Sequence, residues 1–500
     1  MTAQAVQTDE HAVVIGLEVH VQLETATKIF CGCATAADDD EKPNSRTCPV
    51  CLGLPGALPV LNEGAVEAAV KIGKALDSEI PERTTFHRKN YYYPDLPKNF
   101  QLTQYDAPIC QDGSLEISVE GQRREIGITR AHLEEDPGSL QHAGGSIDTA
   151  DYTLINYNRA GTPLVEIVTE PDFRSPAETR AFLAKLEEVL EYLGVFDATR
   201  DGSLRVDANI SLVDAKAVGD DGTIPADTLA DANRTEVKNI SSHKGAEKAL
   251  AYEVTRQKNA VRRGRAIETE TRHWDESRGI TVSMRSKETE ADYRYFREAD
   301  LPPLAVADWK DEIAIPELPD ARRKRFSTEY GLDAESASKL TSTKAVADVF
   351  ETVAERFDPD VAATWVADNL LGELNYRDMQ VADIEGRLAE FIRLIELVET
   401  DAVTVKNAEE IVLRSMLDDG DDPETIIDRE GLGKADDDAI GDFVGAAIEE
   451  NPEAVADYHD GEDGALNYLV GQVMQKSKGS ADPGSVNQLL REQLDGESGA

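Results

Sequence analysis

Long apolar runs are missing from this 500-residue chain. None reaches the roughly 20 residues a membrane-spanning helix needs. The first ten residues are polar and acidic, with no apolar stretch leading to a cleavage-type site. The expected location is therefore the cytoplasm, with no membrane partner. Positive charge is scarce as well: 52 Lys+Arg stand against 97 Asp+Glu, a formal net charge of −45. The carboxylates are spread along the whole length, as on a haloarchaeal surface adapted to high salt, and their excess argues weakly against a nucleic-acid partner. Cysteine and methionine number five each, and four of the cysteines form two close pairs, which is no framework for a secreted disulfide scaffold. Also absent are G-x-x-x-x-G-K-[ST], G-x-S-x-G, H-E-x-x-H and a G-x-G-x-x-G between strand and helix. A nucleotide, if bound, is then bound by a sheet face and not by a phosphate-cradling loop.

What is present begins with Val14–Glu24, where Ile15, Leu17, Val19, Val21 and Leu23 alternate with Gly16, Glu18, His20, Gln22 and Glu24. Period 2 predicts a strand with one dry face, and sets a carboxylate beside an imidazole on the wet one, a candidate metal or acid/base site. Cys31 and Cys33, then an acidic loop over Ala36–Lys42, then Cys48 and Cys51, have the spacing of a four-thiolate zinc knuckle. Four cysteines leave no open position, so this zinc is structural. Phe86–Lys98 interleaves aromatics, bases and prolines, and reads as a loop that stacks a base and contacts phosphate, or as a tyrosine-rich apolar anchor. A hairpin over Leu115–Leu133 runs into Glu134-Glu135-Asp136-Pro137-Gly138, either a carboxylate cluster for a hard cation or an acidic turn on an acidic protein. Leu164–Glu170 places Glu166 on a strand, and Ser203–Leu212 alternates as strictly as the first, with Arg205, Asp207 and Asn209 on the wet side. Thr235–Ile240, carrying Lys238, and Thr281–Arg285 are further strands, and helices are expected over 62–76, 175–193 and 243–265. Polar strand faces gathered in this way predict a ligand cradle.

From Leu301 the strand patterns give way to helical ones. The expected architecture is α+β: an antiparallel β-sheet cradle with flanking helices and the zinc knuckle over 1–300, a helical domain over 301–420, and a tail domain over 421–500. Residues 401–500 carry 25 acidic and 7 basic side chains, yet Lys476, Lys478 and Arg491 face a single acid, Asp482, between 464 and 491. That segment is the one to contact a phosphate backbone. Acids and a histidine around a polar cleft predict a Mg²⁺ site for phosphoryl transfer or for hydrolysis, without choosing between them. Arg205, Asn209 and Lys238 are the expected nucleotide contacts, on the polar face alone.

Several stretches together resemble one family: Ile15-Gly16-Leu17-Glu18-Val19-His20, Arg88 to Lys98, Gly127 to Arg130 with Glu134-Glu135-Asp136, Asn158 to Glu166, Gly202 to Ser211, and Leu469 to Met474. They closely resemble the B subunits of GatCAB aspartyl/glutamyl-tRNA amidotransferases, in register from about residue 13 to about residue 494. The related archaeal GatE subunit carries a large inserted domain for which this chain has no room. The resemblance implies an ATP- and Mg²⁺-dependent step that phosphorylates the side-chain carboxylate of misacylated Asp-tRNA(Asn) or Glu-tRNA(Gln), followed by amidation with ammonia from a glutaminase A subunit. It implies a heterotrimer with that amidase and a small C subunit, and a YqeY-like tRNA-binding tail. It carries the metal and catalytic positions onto His20, Glu135 and Glu166, with Glu18, Glu134 and Asp207 close by, and a tunnel-exit lysine onto Lys89. A carboxylate-metal hydrolase and a non-catalytic zinc-stabilised RNA-binding scaffold are the alternatives.

Overall fold

The computed structural model describes residues 10–36, 41–144, 150–200, 202–219, 222–284, 290–435 and 437–497. Residues 37–40 of the expected acidic loop, and Arg285, lie outside them. The chain divides into two compact units, Met1–Pro319 and Asp320–Ala500.

The first unit is built on an eleven-stranded sheet. In chain order its strands are β1 His11–Gln22, β2 His87–Asn90, β3 Phe100–Thr103, β4 Cys110–Val119, β5 Gln122–Glu135, β6 Pro163–Thr169, β7 Leu204–Asp214, β8 Thr235–Ile240, β9 Glu270–Asp275, β10 Ile280–Ser283 and β11 Phe296–Arg297. Their spatial order is β10-β9-β8-β7-β1-β6-β5-β3-β2-β11, with β4 paired to β5. β1 therefore lies inside the sheet, antiparallel to β7 on one side and to β6 on the other. Its alternation is realised: Ile15, Leu17, Val19 and Val21 are buried to within 1% of full exclusion. They share one apolar cluster with Val70 and Ile72 of α1 (Glu63–Ala75), Phe182 and Leu186 of α2 (Pro176–Tyr192), and Ala249 and Leu250 of α3 (His243–Arg262). The opposite face keeps its polar side chains out of that cluster.

Local chemistry accounts for the elements that frame the sheet. α2 starts at Ser175, whose hydroxyl accepts from the Glu178 N–H, with Pro176 in the first turn where its missing N–H costs nothing. Glu120 and Gly121 both have positive φ, the pattern of the tight primed turn that matches the strand twist, and they close the β4–β5 hairpin.

Three features depart from expectation. β8 and β9 are parallel, so the sheet is mixed. Parallel neighbours require a crossover, and the 20-residue α3 supplies it. The Phe86–Lys98 stretch is not all loop, because His87–Asn90 pairs antiparallel with Phe100–Thr103 and the prolines fall in the connection. Glu270–Asp275 is a strand whose mixed polarity gave no clear period.

The described residues of the second unit form helices joined by turns, with an isolated bridge between Val403 and Gly433. The helix expected over 359–374 is divided, with a wider π-type turn over Thr364–Leu370. Helices Pro423–Glu430 and Pro452–His459 are short, each opened by a proline in its first turn. Apolar side chains gather in two clusters, one from Phe326 to Leu432 and one from Ile440 to Leu494. No helix among the described residues is long and apolar enough to cross a membrane.

Candidate active site

Strand register brings the polar face together. His20 on β1 stands opposite Glu166 on β6 and opposite Arg205 on β7, and Glu18 stands opposite Asp207. One strand further out, His132 on β5 faces Glu166. The result is two adjoining groups of donors. The first is His20, Glu134 and Glu166, with one ligand atom from each within 4.8 Å of the others. The second is Glu18, Asp207 and Glu236, equally close. A cavity of about 420 Å³ opens over them, lined among others by His20, Lys89, Tyr91, Glu134, Asp207 and Lys238.

Hydrogen bonds fix the first group. His20 Nε2 lies 3.4 Å from Glu166 Oε2, and His132 Nε2 lies 3.1 Å from Glu134 Oε1 and 3.8 Å from the same Glu166 oxygen. Thr103 Oγ1 and Gln101 Nε2 donate to the two oxygens of Glu134 at 2.7 and 2.9 Å. Burial opposes ionisation here, but nearby cations outweigh it. His132, His20 and Lys89 hold Glu166 well below the ordinary carboxylate range, and Lys89 and His132 hold Glu134 below it despite the adjacent Glu166. Burial also works against the charged His20 ring, yet its bond to Glu166 and the surrounding carboxylates raise it to about 9. Two ionised carboxylates beside an imidazole that would give up its proton to bind form a donor set suited to a divalent cation.

In the second group, burial together with Glu166 and Asp207 keeps the Glu18 carboxyl above its usual range. Asn209 Nδ2 donates to Glu18 at 3.1 Å. Lys238 Nζ bridges Asp207 at 2.8 Å and Glu236 at 3.3 Å. Lys89, between the rings of Tyr293 and Tyr91 at 5.2 and 5.9 Å, has its ammonium held protonated by Glu134 and Glu166 against the effect of burial.

One expected member is placed elsewhere, and a second lies on the cavity wall but is already paired. Glu135 follows Glu134 on one strand, so its side chain leaves by the opposite face, where it accepts from Lys98 and, at 3.0 Å, from the Leu102 N–H. It does not join His20 and Glu166. Arg205 lines the cavity but is bound to Asp136 at 2.6 Å, an acid that Gln22 also reaches at 2.6 Å. In the tail, Lys476 is paired with Glu450 at 2.7 Å, Arg491 Nε donates to Asn487, and Lys478 adopts a positive φ after the helix end. Sequence reasoning passed over His132, Gln101 and Glu236. Glu236 shares the parity of Lys238 in T-E-V-K-N-I, which was signal enough; His132 and Gln101 become visible only through cross-strand register.

The four cysteines do converge: Cys31, Cys33, Cys48 and Cys51 each bring a sulfur within 4.8 Å of the others. The Cys51 sulfur is pulled down to about 4 by the Cys31 thiol, the Cys48 backbone N–H and the Lys28 ammonium at 3.8 Å, while burial pushes the Cys33 thiol up to about 11. A sulfur that is already a thiolate among three close thiols fits tetrahedral zinc. Gly53 turns the loop at positive φ, and a Cβ there would collide with the Lys98 side chain. The knuckle thus packs directly on the lysine that holds Glu135.

Known proteins match the chain over most of its length. Residues 13–311 match a family described as the GatB/GatE catalytic domain, and residues 348–494 match one described as the GatB domain. The chain is similar to the B subunit of the aspartyl/glutamyl-tRNA(Asn/Gln) amidotransferase of Natronomonas pharaonis, 76% identical across 99% of this chain and all of that protein. It is 74% identical to the protein of the same name from Haloquadratum walsbyi over 99% of both chains, and 52% identical to that from Methanospirillum hungatei over 96% and 98%. With most of its length matched by these profiles and relatives, the chain belongs to the GatB family.

Proposed function

We propose that this chain is the B subunit of a cytoplasmic tRNA-dependent amidotransferase and carries its ATP-dependent activation step. The observation that carries the reading is the convergence of His20, Glu134 and Glu166 on one wall of a cavity that also presents Lys89 and Lys238. In the reaction, a side-chain carboxylate oxygen of Asp-tRNA(Asn) or Glu-tRNA(Gln) attacks the γ-phosphorus of ATP, the bond to ADP breaks, and an acyl phosphate forms. Ammonia from the glutaminase A subunit then attacks the acyl carbon, phosphate leaves, and the nitrogen loses a proton to give the amide.

The residues divide these tasks. His20, Glu134 and Glu166 would hold Mg²⁺, with Asp207 and Glu18 in the adjoining donor group, and the ion would offset charge on the transferred phosphoryl group. Lys89, on the cavity wall, stabilises the negative charge that develops on the acyl oxygen as ammonia attacks. Lys238 and Asn209 orient the nucleotide from β8 and β7. Arg205 acts through Asp136, which fixes the turn after β5. Glu135 supports the site through Lys98 and the knuckle, with zinc held by Cys31, Cys33, Cys48 and Cys51. The second unit is read as a helical domain followed by a tail, which its two apolar clusters support, and Lys476, Lys478 and Arg491 as tail contacts to tRNA.

The test combines the chain with A and C subunits, glutamine, ATP, Mg²⁺ and Asp-tRNA(Asn), omitting one component at a time and following Asn-tRNA. Product should require every component, and His20→Ala should abolish it with fold and zinc content intact. Amidation without ATP would overturn the kinase step, turnover by the chain alone would favour a hydrolase, and full activity of His20→Ala would leave only a scaffold.

A further inference from the structure

His132 lies on the polar face of β5, 3% exposed and cross-strand from Glu166 on β6. It stands beside the donor group of His20, Glu134 and Glu166 and is not a member of it. Its Nε2 is 3.1 Å from Glu134 Oε1 and 3.8 Å from Glu166 Oε2. Among the described residues no other side chain is paired with both carboxylates. An ionised carboxylate only accepts, so the ring hydrogen that faces the two acids is on Nε2.

The two carboxylates depend on that ring unequally. Glu134 also accepts from Thr103 Oγ1 at 2.7 Å and from Gln101 Nε2 at 2.9 Å. Glu166 has His20, at 3.4 Å, as its other partner among the described residues, and His20 belongs to the donor group itself. A ring nitrogen bound to a cation has no hydrogen left to donate. Once His20 turns to the ion, His132 is what remains to orient the buried Glu166 carboxylate. The second nitrogen of the His132 ring points the same way: Nδ1 is buried and has no partner among the described residues. A buried polar atom without a partner costs stability, so the fold gains little from this ring and the site gains most.

We propose that His132 is a positioning residue, which sets the spacing of Glu134 and Glu166 and orients Glu166 when His20 engages a divalent cation, without ligating the ion. The inference rests on the metal-dependent reaction proposed above. Mg²⁺ demands near-octahedral geometry, so a carboxylate ligand that swings is a poor one. Outer partners that hold such ligands commonly account for about 10–100-fold in metal affinity.

The test uses the assembled three-subunit enzyme and takes as binding at this site the part of the Mn²⁺ calorimetric signal that His20→Ala removes. His132→Ala should weaken that binding about 10–100-fold and raise the Mg²⁺ concentration needed for amidation by a similar factor, with kcat recovered at saturating Mg²⁺. His132→Gln and His132→Asn carry the same amide on side chains of different length, and only glutamine reaches as far as Nε2 does. Glutamine should restore most of the affinity and asparagine should not, a comparison that stands even where the alanine variant fails to fold. Thr103→Val takes one donor from Glu134 while Gln101 and His132 remain, and should cost less than His132→Ala.

Wild-type Mn²⁺ affinity in His132→Ala would overturn the proposal, as would a loss in Thr103→Val as large as in His132→Ala. Glutamine and asparagine variants of equal affinity would also overturn it: if both bind well the bond is not needed, and if both bind poorly His132 is a ligand. A wild-type enzyme with no His20-dependent Mn²⁺ binding refutes the metal reading itself, whereas normal wild-type binding beside an unaltered His132→Ala enzyme refutes the positioning role alone.

Discussion

Glu134 and Glu135 are neighbours in sequence with opposite assignments, and replacing each by glutamine separates them. Glu134→Gln removes one of the two ionised carboxylates in the donor group with His20, while Gln101 and Thr103 still have an oxygen to bond. Losing an outer-shell partner costs about 10–100-fold in metal affinity, and an inner ligand costs at least as much. The Mg²⁺ requirement of amidation should therefore rise by roughly 100-fold or more, with the urea midpoint nearly unchanged. Glu135→Gln acts on the other face. It leaves the Lys98 ammonium, 12% exposed, without its counter-charge, among the Phe30 and Phe100 rings. Truncating one side of a buried pair costs about 3–5 kcal/mol; glutamine keeps an acceptor for Lys98 and for the Leu102 N–H, so about 2–3 kcal/mol is expected. Urea unfolding in molar KCl gives the stability, and Mn²⁺ titration by calorimetry gives the metal affinity. A Glu135→Gln protein of unaltered stability that no longer binds Mn²⁺, beside a Glu134→Gln protein that binds normally, would refute this assignment of faces.

Two further outcomes are expected. The purified chain should contain one zinc; Cys48→Ser should release it and expose 31–53 to protease, and a chain free of zinc by mass spectrometry would count against the knuckle. Glu298 is 2% exposed and accepts from Arg88 Nε at 2.6 Å and Nη2 at 2.9 Å, so although burial pushes its carboxyl up, Arg88 leaves it below the ordinary value of 4.5. A depressed carboxylate contributes stability that is complete above pH 4.5 and is lost as pH falls through the folded value. Glu298→Gln should lower stability by about 2 kcal/mol at neutral pH and flatten its decline in acid, and an unchanged acid limb would contradict the pairing.

Much of the site was legible because strands write their faces in period 2. Glu18 beside His20, and Arg205, Asp207 and Asn209 on one parity, needed only alternation. What alternation cannot supply is register. His20 meets Glu166 because β1 and β6 are paired with one particular offset, and nothing in either segment states that offset. Glu134 and Glu135 were both candidates, and alternation could not have separated them: β5 carries a register shift between Ile128 and Arg130, so parity counted from the hairpin does not hold to the strand's end. Glu270–Asp275 was missed because Arg272 and Trp274 mix a buried ion pair with an aromatic on one parity, which no binary pattern separates. Helices of the second unit were read well wherever caps and apolar stripes were clear, as at Lys344–Ala354, and poorly where a π-type turn or a two-turn helix blurred the stripe.

The interior position of β1 also sets a timetable for synthesis. The strand leaves the ribosome early, but the two partners that flank it, Pro163–Thr169 and Leu204–Asp214, are translated far later. At about 5–20 residues per second, roughly 10–40 s pass before the second partner exists. Both edges of the strand stay open until Pro163–Thr169 is made, and one stays open to the end of that interval, a form prone to join another polysome's product.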